Sequence, residues 1–391
     1  MNRGFYTILA AQFLSALADN ALLFAAIAML AKLSAPGWHT PLLQEFFVIS
    51  YILLAPFVGP FADAFPKGRV MFAANAIKFF GCLAMLVGVP PLYAYGIVGI
   101  GAAAYSPAKY GILTEFLPPR LLVNANGWME GSTVMAIILG AIAGGKLASN
   151  DPYFAVAVIS GLYLAAAAFN LYIPKVPRDH RLPKKNPLFI LHDFWHSFTA
   201  LWRDPQGQVS LAVTTLFWGV GATLRLVIIT WAAVALGFGL SHATQLTAAV
   251  AVGIAAGSIL AARYVRLEES VKVLPAGIAM GFLVISMIWI GDWRLASLVL
   301  FAIGVLSGYF VVPLNALLQH RGHILIGAGH SIAVQNFNEN IGILLLIGAY
   351  TMMVKYNLSI SLIVVIFGAF VSLSMSIIYR LYRNQRPSAP Q

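Results

Sequence analysis

A chain of 391 residues in which 60% are hydrophobic and only 9% charged is not a soluble globular domain, where roughly 25% of residues are charged, and its mean hydropathy of +0.84 places it in a membrane. The formal net charge of +11 is not a nucleic-acid footprint, because Lys and Arg occupy short loops between apolar runs and not one soluble face. A single cysteine, Cys82, excludes an intrachain disulfide, a four-thiolate metal site and a CxxC redox pair.

Apolar runs of about 20 residues, each long enough to cross ~30 Å of hydrocarbon as a helix, exclude the polar–apolar alternation of a barrel. Six fall near 6–33, 41–64, 70–90, 92–113, 125–148 and 153–174. Six more fall near 208–236, 241–262, 272–291, 294–318, 328–353 and 359–379. The expected fold is an all-α membrane protein of twelve transmembrane helices in two pseudo-symmetric six-helix bundles, 1–174 and 208–391. The first run follows Arg3 but is too long for a signal-peptide core and holds Asp19, so it is expected to stay as the first span. Most of the 24 Lys and Arg residues cluster at alternate loops, which predicts that both termini are cytoplasmic.

Between the bundles, 175–207 is expected to be a cytoplasmic linker. It opens with Lys175, Arg178, Arg181, Lys184 and Lys185. Leu188, Leu191, Trp195, Phe198 and Trp202 then recur at spacings of three and four, the apolar stripe of a helix lying on the membrane surface. Such a helix tethers the linker or offers a docking surface to a cytoplasmic partner. A weak internal repeat supports the two bundles. Pro107 precedes Glu130 in the first half much as Pro313 precedes Glu339 in the second, the pattern of parallel repeats.

Charges inside spans carry most of the functional signal, since each costs a few kcal/mol on insertion scales and marks a partner or a polar path. Asp19, beside Asn20, lies near the middle of the first span and Arg225 near the middle of the seventh. Comparable depth makes them expected ion-pair partners, either holding a polar ligand group or forming a permanent structural pair. Lys109, and the cluster Gln335, Asn336, Asn338, Glu339 and Asn340, are candidates for headgroup binding or for interhelical hydrogen bonding. Glu130 is expected to make a structural pairing with a residue such as Lys109, and Lys78 has no partner that the sequence reveals.

Some patterns resolve to packing. Gly140 and Gly144, and Gly253 and Gly257, are GxxxG pairs. The P-loop-like string at Gly140 ends in Leu147 where Ser or Thr is needed, and Gly99, Gly101 and Ala104 follow no strand, so neither binds a nucleotide. The histidines form no intramembrane metal cluster, no GxSxG elbow occurs, and neither an enzyme nor a cofactor is expected.

The loop GPFADAFPKGR places Gly59 and Asp63 before Lys67, Gly68 and Arg69, and it resembles the signature loop of the major facilitator superfamily with a turn two residues longer. Its role would be conformational: glycines permit close helix approach, and Asp63 can pair with a base or cap a neighbouring helix. With AQFLSALADNALLF, GAAAYSPAKYGILTE, LFWGVGATLRL, GYFVVPLNALLQHRG and AVQNFNEN, the chain resembles the bacterial lysophospholipid transporters of that superfamily along nearly its whole length. Separately from the resemblance, a monomer is the plain expectation. The resemblance implies an inner-membrane flippase moving lysophosphatidylethanolamine and related lysolipids from the outer to the inner leaflet by alternating access. A cytoplasmic acyltransferase–acyl carrier protein synthetase would then re-acylate them. Arg225 and Lys109 would attract the phosphate, Asp19 an amine or Arg225, and Asn20, Gln335 and Asn336 would orient the headgroup, with Glu339 beside them. The competing expectation is a proton-coupled exporter of hydrophobic drugs in which Asp19 or Glu339 titrates.

Overall fold

Apolar runs of this length must satisfy their backbone groups internally, and they do so as helices. The computed structural model describes residues 3–35, 39–174, 187–238 and 240–385, and no strand occurs among them. Thirteen α-helices follow in order among the described residues: α1 (Arg3–Lys32), α2 (His39–Ala64), α3 (Lys67–Leu86), α4 (Pro91–Phe116), α5 (Leu122–Asn150), α6 (Pro152–Leu171) and α7 (Pro187–Arg203). Then come α8 (Pro205–Ala235), α9 (Leu240–Tyr264), α10 (Leu274–Ser286), α11 (Trp293–Ile326), α12 (Ala328–Lys355) and α13 (Ile360–Gln385).

Among the described residues, eleven helical segments are long and apolar enough to cross a membrane. The expected fourth span, α4, has the length at 26 residues but is not among these eleven. Tyr93, Tyr95, Tyr105, Pro107 and Lys109 dilute it, and it packs on α2 and α3.

The thirteenth helix is the amphipathic α7. It turns Phe194, Ser197 and Leu201 inward and leaves Leu188, Leu191 and Trp195 exposed, so the predicted stripe lies partly on its outer face. The basic run from Lys175 to Lys185 lies outside the described residues.

The described residues pack as two compact units. One gathers those of Met1–Pro118, Ser132–Thr199 and Gly322–Phe337, and the other those of Pro119–Gly131, Ala200–Arg321 and Asn338–Gln391. Two short stretches, the start of α5 and the start of α12, therefore group apart from the rest of their chain halves.

In the first unit, α1 packs on α6, α3 on α4 and α6, and α2 on α4. Its apolar core is split in two. One cluster holds Ala18, Leu22, Met29, Cys82, Met85 and Tyr163. The other holds Ile8, Ala11, Met71, Ala74 and Ile112. On α1 and α3 the residues between these clusters are polar: Gln12, Ser15, Asn75 and Lys78, all buried. Gly140 and Gly144 let α5 approach α1, since a Cβ on Gly140 would lie 2.8 Å from Asn20 Cβ.

In the second unit α10 packs on α13 and α8 on α9 and α13. Gly253 and Gly257 bring α9 against α11, where a Cβ on Gly253 would lie 2.9 Å from Gly304 Cα. Both expected GxxxG pairs thus sit at close helix crossings.

The junction of α7 and α8 shows how the helix ends are fixed. Asp204 caps α8 by accepting from Gly207 N–H at 2.8 Å, with Pro205 at the first helical position. Its carboxylate also binds Arg321 of α11 through both Nε, at 3.1 Å, and a terminal guanidinium nitrogen. Burial disfavours the charged form of Asp204, but Arg321 and the cap amides outweigh it and hold the carboxyl below its ordinary pKa. A depressed folded-state pKa contributes stability above the unfolded value and loses it as pH falls through the folded one. Asp204→Ala is therefore expected to lower unfolding stability in detergent by about 1–2 kcal/mol at pH 7. The gap to wild type should narrow as pH drops below ~4, and a gap that does not change with pH would refute the ionic contribution.

Candidate functional site

A carboxylate near the middle of α1 needs a counter-charge, and α3 supplies it. Lys78 Nζ donates to Asp19 Oδ2 at 2.8 Å and to Ser15 Oγ at 3.1 Å. Ser15 donates to Asn75 Oδ1 at 2.8 Å, and Tyr163 of α6 donates to Asp19 Oδ1 at 2.7 Å. The ammonium also lies 4.8 Å from the Tyr105 ring centroid and 5.6 Å from that of Tyr163, within cation–π range. Both oxygens of Asp19 are engaged inside the first unit. Within the first unit the partner of Asp19 is Lys78, the intramembrane cation for which the sequence showed no partner.

Gly101 makes this possible, since a Cβ there would sit 2.7 Å from both Lys78 Cγ and the Ala74 carbonyl. The glycine that mimics a dinucleotide fingerprint is the clearance for the lysine stem.

Beside the pair opens a cavity of about 70 Å³, lined by Gln12, Asp19, Tyr51, Lys78, Tyr105, Ser106 and Lys109 among others. By the same measure one water needs about 10–15 Å³, so the space has room for a small charged group. Lys109 lies over the Tyr110 ring, 4.1 Å from its centroid. Asn336 donates to Ser106 Oγ at 2.9 Å, which brings one member of the amide-rich stretch to the cavity wall. Asn20 instead donates to its own helix, at Ala16 O, 2.8 Å away.

The remaining candidates are distributed. Gln335 and Asn336 group with the first unit, while Glu339, Glu130 and Arg225 belong to the second. Glu130 and Glu339 are buried, and Arg225 is exposed on α8. Glu130 accepts from Asn315 at 3.3 Å, beside a reciprocal amide pair of Asn126 and Gln319 at 2.9 and 2.8 Å. Trp202 of α7 donates to Asn338 at 3.3 Å.

A second charged cluster, also in the first unit, is built on the loop signature. Asp63 at the end of α2 pairs with Lys67 at 2.8 Å, and Lys67 reaches Glu115 of α4 at 2.9 Å. Asp63 also accepts from the backbone N–H groups of Gly329 and His330 at 2.6 and 3.1 Å, capping the first turn of α12. Gly327, at φ +95°, allows α11 to stop and α12 to restart one residue later. The His330 ring lies between two carboxylates, Nδ1 at 2.6 Å from Asp63 and Nε2 at 3.1 Å from Asp193 of α7.

Both signature glycines are clearances. A Cβ on Gly59 would meet His330 Cα at 3.0 Å, and one on Gly68 would meet the Asn170 carbonyl at 2.8 Å. Lys67, not the exposed Arg69, joins the charge network. α2 ends at Ala64 and α3 starts at Lys67, so Lys67 pairs with Asp63 across the turn between the two helices.

The sequence shows no partner for Lys78, and it does not mark Tyr163, Asn75, Glu115, His330 or Asp193 as members of these clusters. A charged residue in an apolar run signals that a partner exists, but not where the fold supplies it.

Comparison with known proteins agrees with this architecture. Residues 8–346 match the family model described as Major Facilitator Superfamily. A protein named lysophospholipid transporter LplT from Serratia proteamaculans is 48% identical over 356 residues, covering 91% of this chain and 89% of the relative. A protein of the same name from Yersinia enterocolitica is 46% identical over 361 residues, covering 92% and 89%. Among solved structures, a bacterial homologue of the iron transporter ferroportin in the outward-facing state superposes with a TM-score of 0.78 at 14% identity, covering 98% of this chain and 100% of that one. The human organic anion transporter MFSD10 gives 0.77 at 13%, with 98% and 100% coverage. These structural likenesses speak to the fold alone. By sequence and by fold, the chain belongs to the major facilitator superfamily.

Proposed function

We propose that this chain is a lysophospholipid transporter that carries lysophosphatidylethanolamine and related single-chain phospholipids from the outer to the inner leaflet of the bacterial inner membrane by alternating access. The observation that carries this reading is the small polar cavity with Asp19, Lys78 and Lys109 on its wall, set between two apolar clusters. A lysophospholipid requires that combination: a few polar anchors for the headgroup beside apolar surface for one chain. The near-50% identity to proteins named for this substrate supports it.

Lys109 in α4 and Arg225 in α8 are each assigned to attraction of the phosphate. Asn20, Gln335, Asn336 and Glu339 are assigned to orienting the headgroup, and Asp19 to setting the charge of the cavity. Both termini lie in the cytoplasm, the protein acts as a monomer, and its product goes to a cytoplasmic acyltransferase–acyl carrier protein synthetase. The loop signature, Gly59, Asp63, Lys67, Gly68 and Arg69, together with Glu130, serves conformational change and not substrate contact. Asp63 holds the first turn of α12, and such a hold can be released and remade during a cycle.

Two measurements test the reading. Labelled lysophosphatidylethanolamine should reach the inner leaflet of proteoliposomes with no imposed ion gradient, and Arg225→Ala should slow it about tenfold, the loss of one charge-assisted contact. Movement only under a proton gradient would favour the coupled exporter, and no movement in either condition would end the substrate assignment. Asp63→Ala should lower unfolding stability by about 3 kcal/mol, the low end for breaking a buried pair because Lys67 keeps Glu115. It should also abolish uptake, and wild-type uptake by this variant would refute the conformational role.

A further inference from the structure

We propose that Lys78 sets the headgroup-charge preference of the transporter: by occupying Asp19 it withholds the carboxylate from a lipid amine and leaves phosphate charge as the property selected. The inference rests on the reading of the cavity as the resting place of the headgroup.

The geometry argues for it. Asp19 is the member of the pair that meets the cavity, with 22% of its side chain exposed against 1% for Lys78. An ammonium ligand approaching Asp19 meets a carboxylate already bound by Lys78 at 2.8 Å on one oxygen and by Tyr163 at 2.7 Å on the other. Displacing Lys78 would strand a cation inside the first unit, where Gly101 packs on its stem and two aromatic rings flank its head. The lipid amine therefore gains little from Asp19, and the phosphate suffers little repulsion from it. Removing the lysine charge exposes a bare carboxylate, which attracts an amine and repels a phosphate. Removing the carboxylate alone does the reverse.

The experiment is a competition in proteoliposomes between lysophosphatidylglycerol, net −1, and lysophosphatidylethanolamine, net neutral, read as a ratio of uptake rates. A ratio does not depend on how much of a variant folds. Lys78→Met should lower the anionic-to-zwitterionic ratio about tenfold, the order expected of one charge acting across several ångströms of partly screened space. Asp19→Asn should raise the ratio, and Asp19→Asn/Lys78→Met, which removes both charges, should return it to within about twofold of wild type.

If Lys78→Met yields too little folded protein, the opposite shifts of Asp19→Asn and of the double variant relative to it decide the matter. Variants that change the rates but leave the ratio at the wild-type value would refute the inference while keeping the cavity on the transport path. A double variant that keeps a tenfold shift would show that Lys78 does not act through Asp19. Folded variants with unchanged rates and unchanged ratio would remove the cavity from the path altogether.

Discussion

The cost of a charge in hydrocarbon is the constraint from which the first unit is built. Asp19 lies near the middle of α1, and a lone carboxylate at that depth costs roughly 3 kcal/mol on insertion scales. Lys78 would carry a similar cost. Bringing the two together across 2.8 Å removes most of that penalty, but only if the remaining donors are satisfied and the helices approach closely enough. Ser15 and Tyr163 hydrogen-bond to the pair, the Tyr105 and Tyr163 rings flank the ammonium, and Gly101 gives the lysine stem its clearance. One carboxylate thus dictates side chains on α1, α3, α4 and α6.

Asp63 and Asp19, both in the first unit, are treated differently. Asp63 is 1% exposed and faces the two cap amides of α12, Lys67 and the His330 ring. Asp19 retains 22% exposure and meets a cavity. A group saturated by backbone amides of another helix reports on whether that helix is in place. A group with its charge cancelled but its surface open shapes the field that a ligand experiences. The reach of the Asp63 cluster to α7, through His330 and Asp193, extends the first behaviour to a helix whose outer face is apolar. The Phe194 and Phe337 rings, 5.4 Å apart, hold α7 and α12 together alongside that polar contact.

Hydrophobic run length made the helices legible, and it also located the amphipathic α7. The charged residues were legible as sites, because a carboxylate or ammonium inside an apolar run has no bland explanation. Their partners were not. Asp19 and Lys78 are 59 residues apart, and depth alone made Arg225 an equally good candidate. Tyr163 sits in an ordinary apolar helix, with nothing in its neighbours to mark it. The loop signature was legible as two chemistries for Asp63, pairing with a base and capping a helix, and the structure contains both. Its histidine was not, because His330 lies 267 residues away. The grouping of 322–337 with the first unit follows from packing that no local pattern encodes.

A space of about 70 Å³ beside Asp19 and Lys78 has room for a charged group, and apolar helix surface or the bilayer itself can take the acyl chain. The α2 helix offers such a surface, with Ile49, Leu53, Phe57 and Phe61 exposed at intervals of four residues. Lipid tails are as apolar as leucine, so moving a chain from bilayer to such a face changes its free energy little. An interaction that is equal in both places cannot discriminate. Selection among lysolipids, on this reading, must therefore come from the headgroup, and from the few charges whose mutual cancellation decides what field it meets.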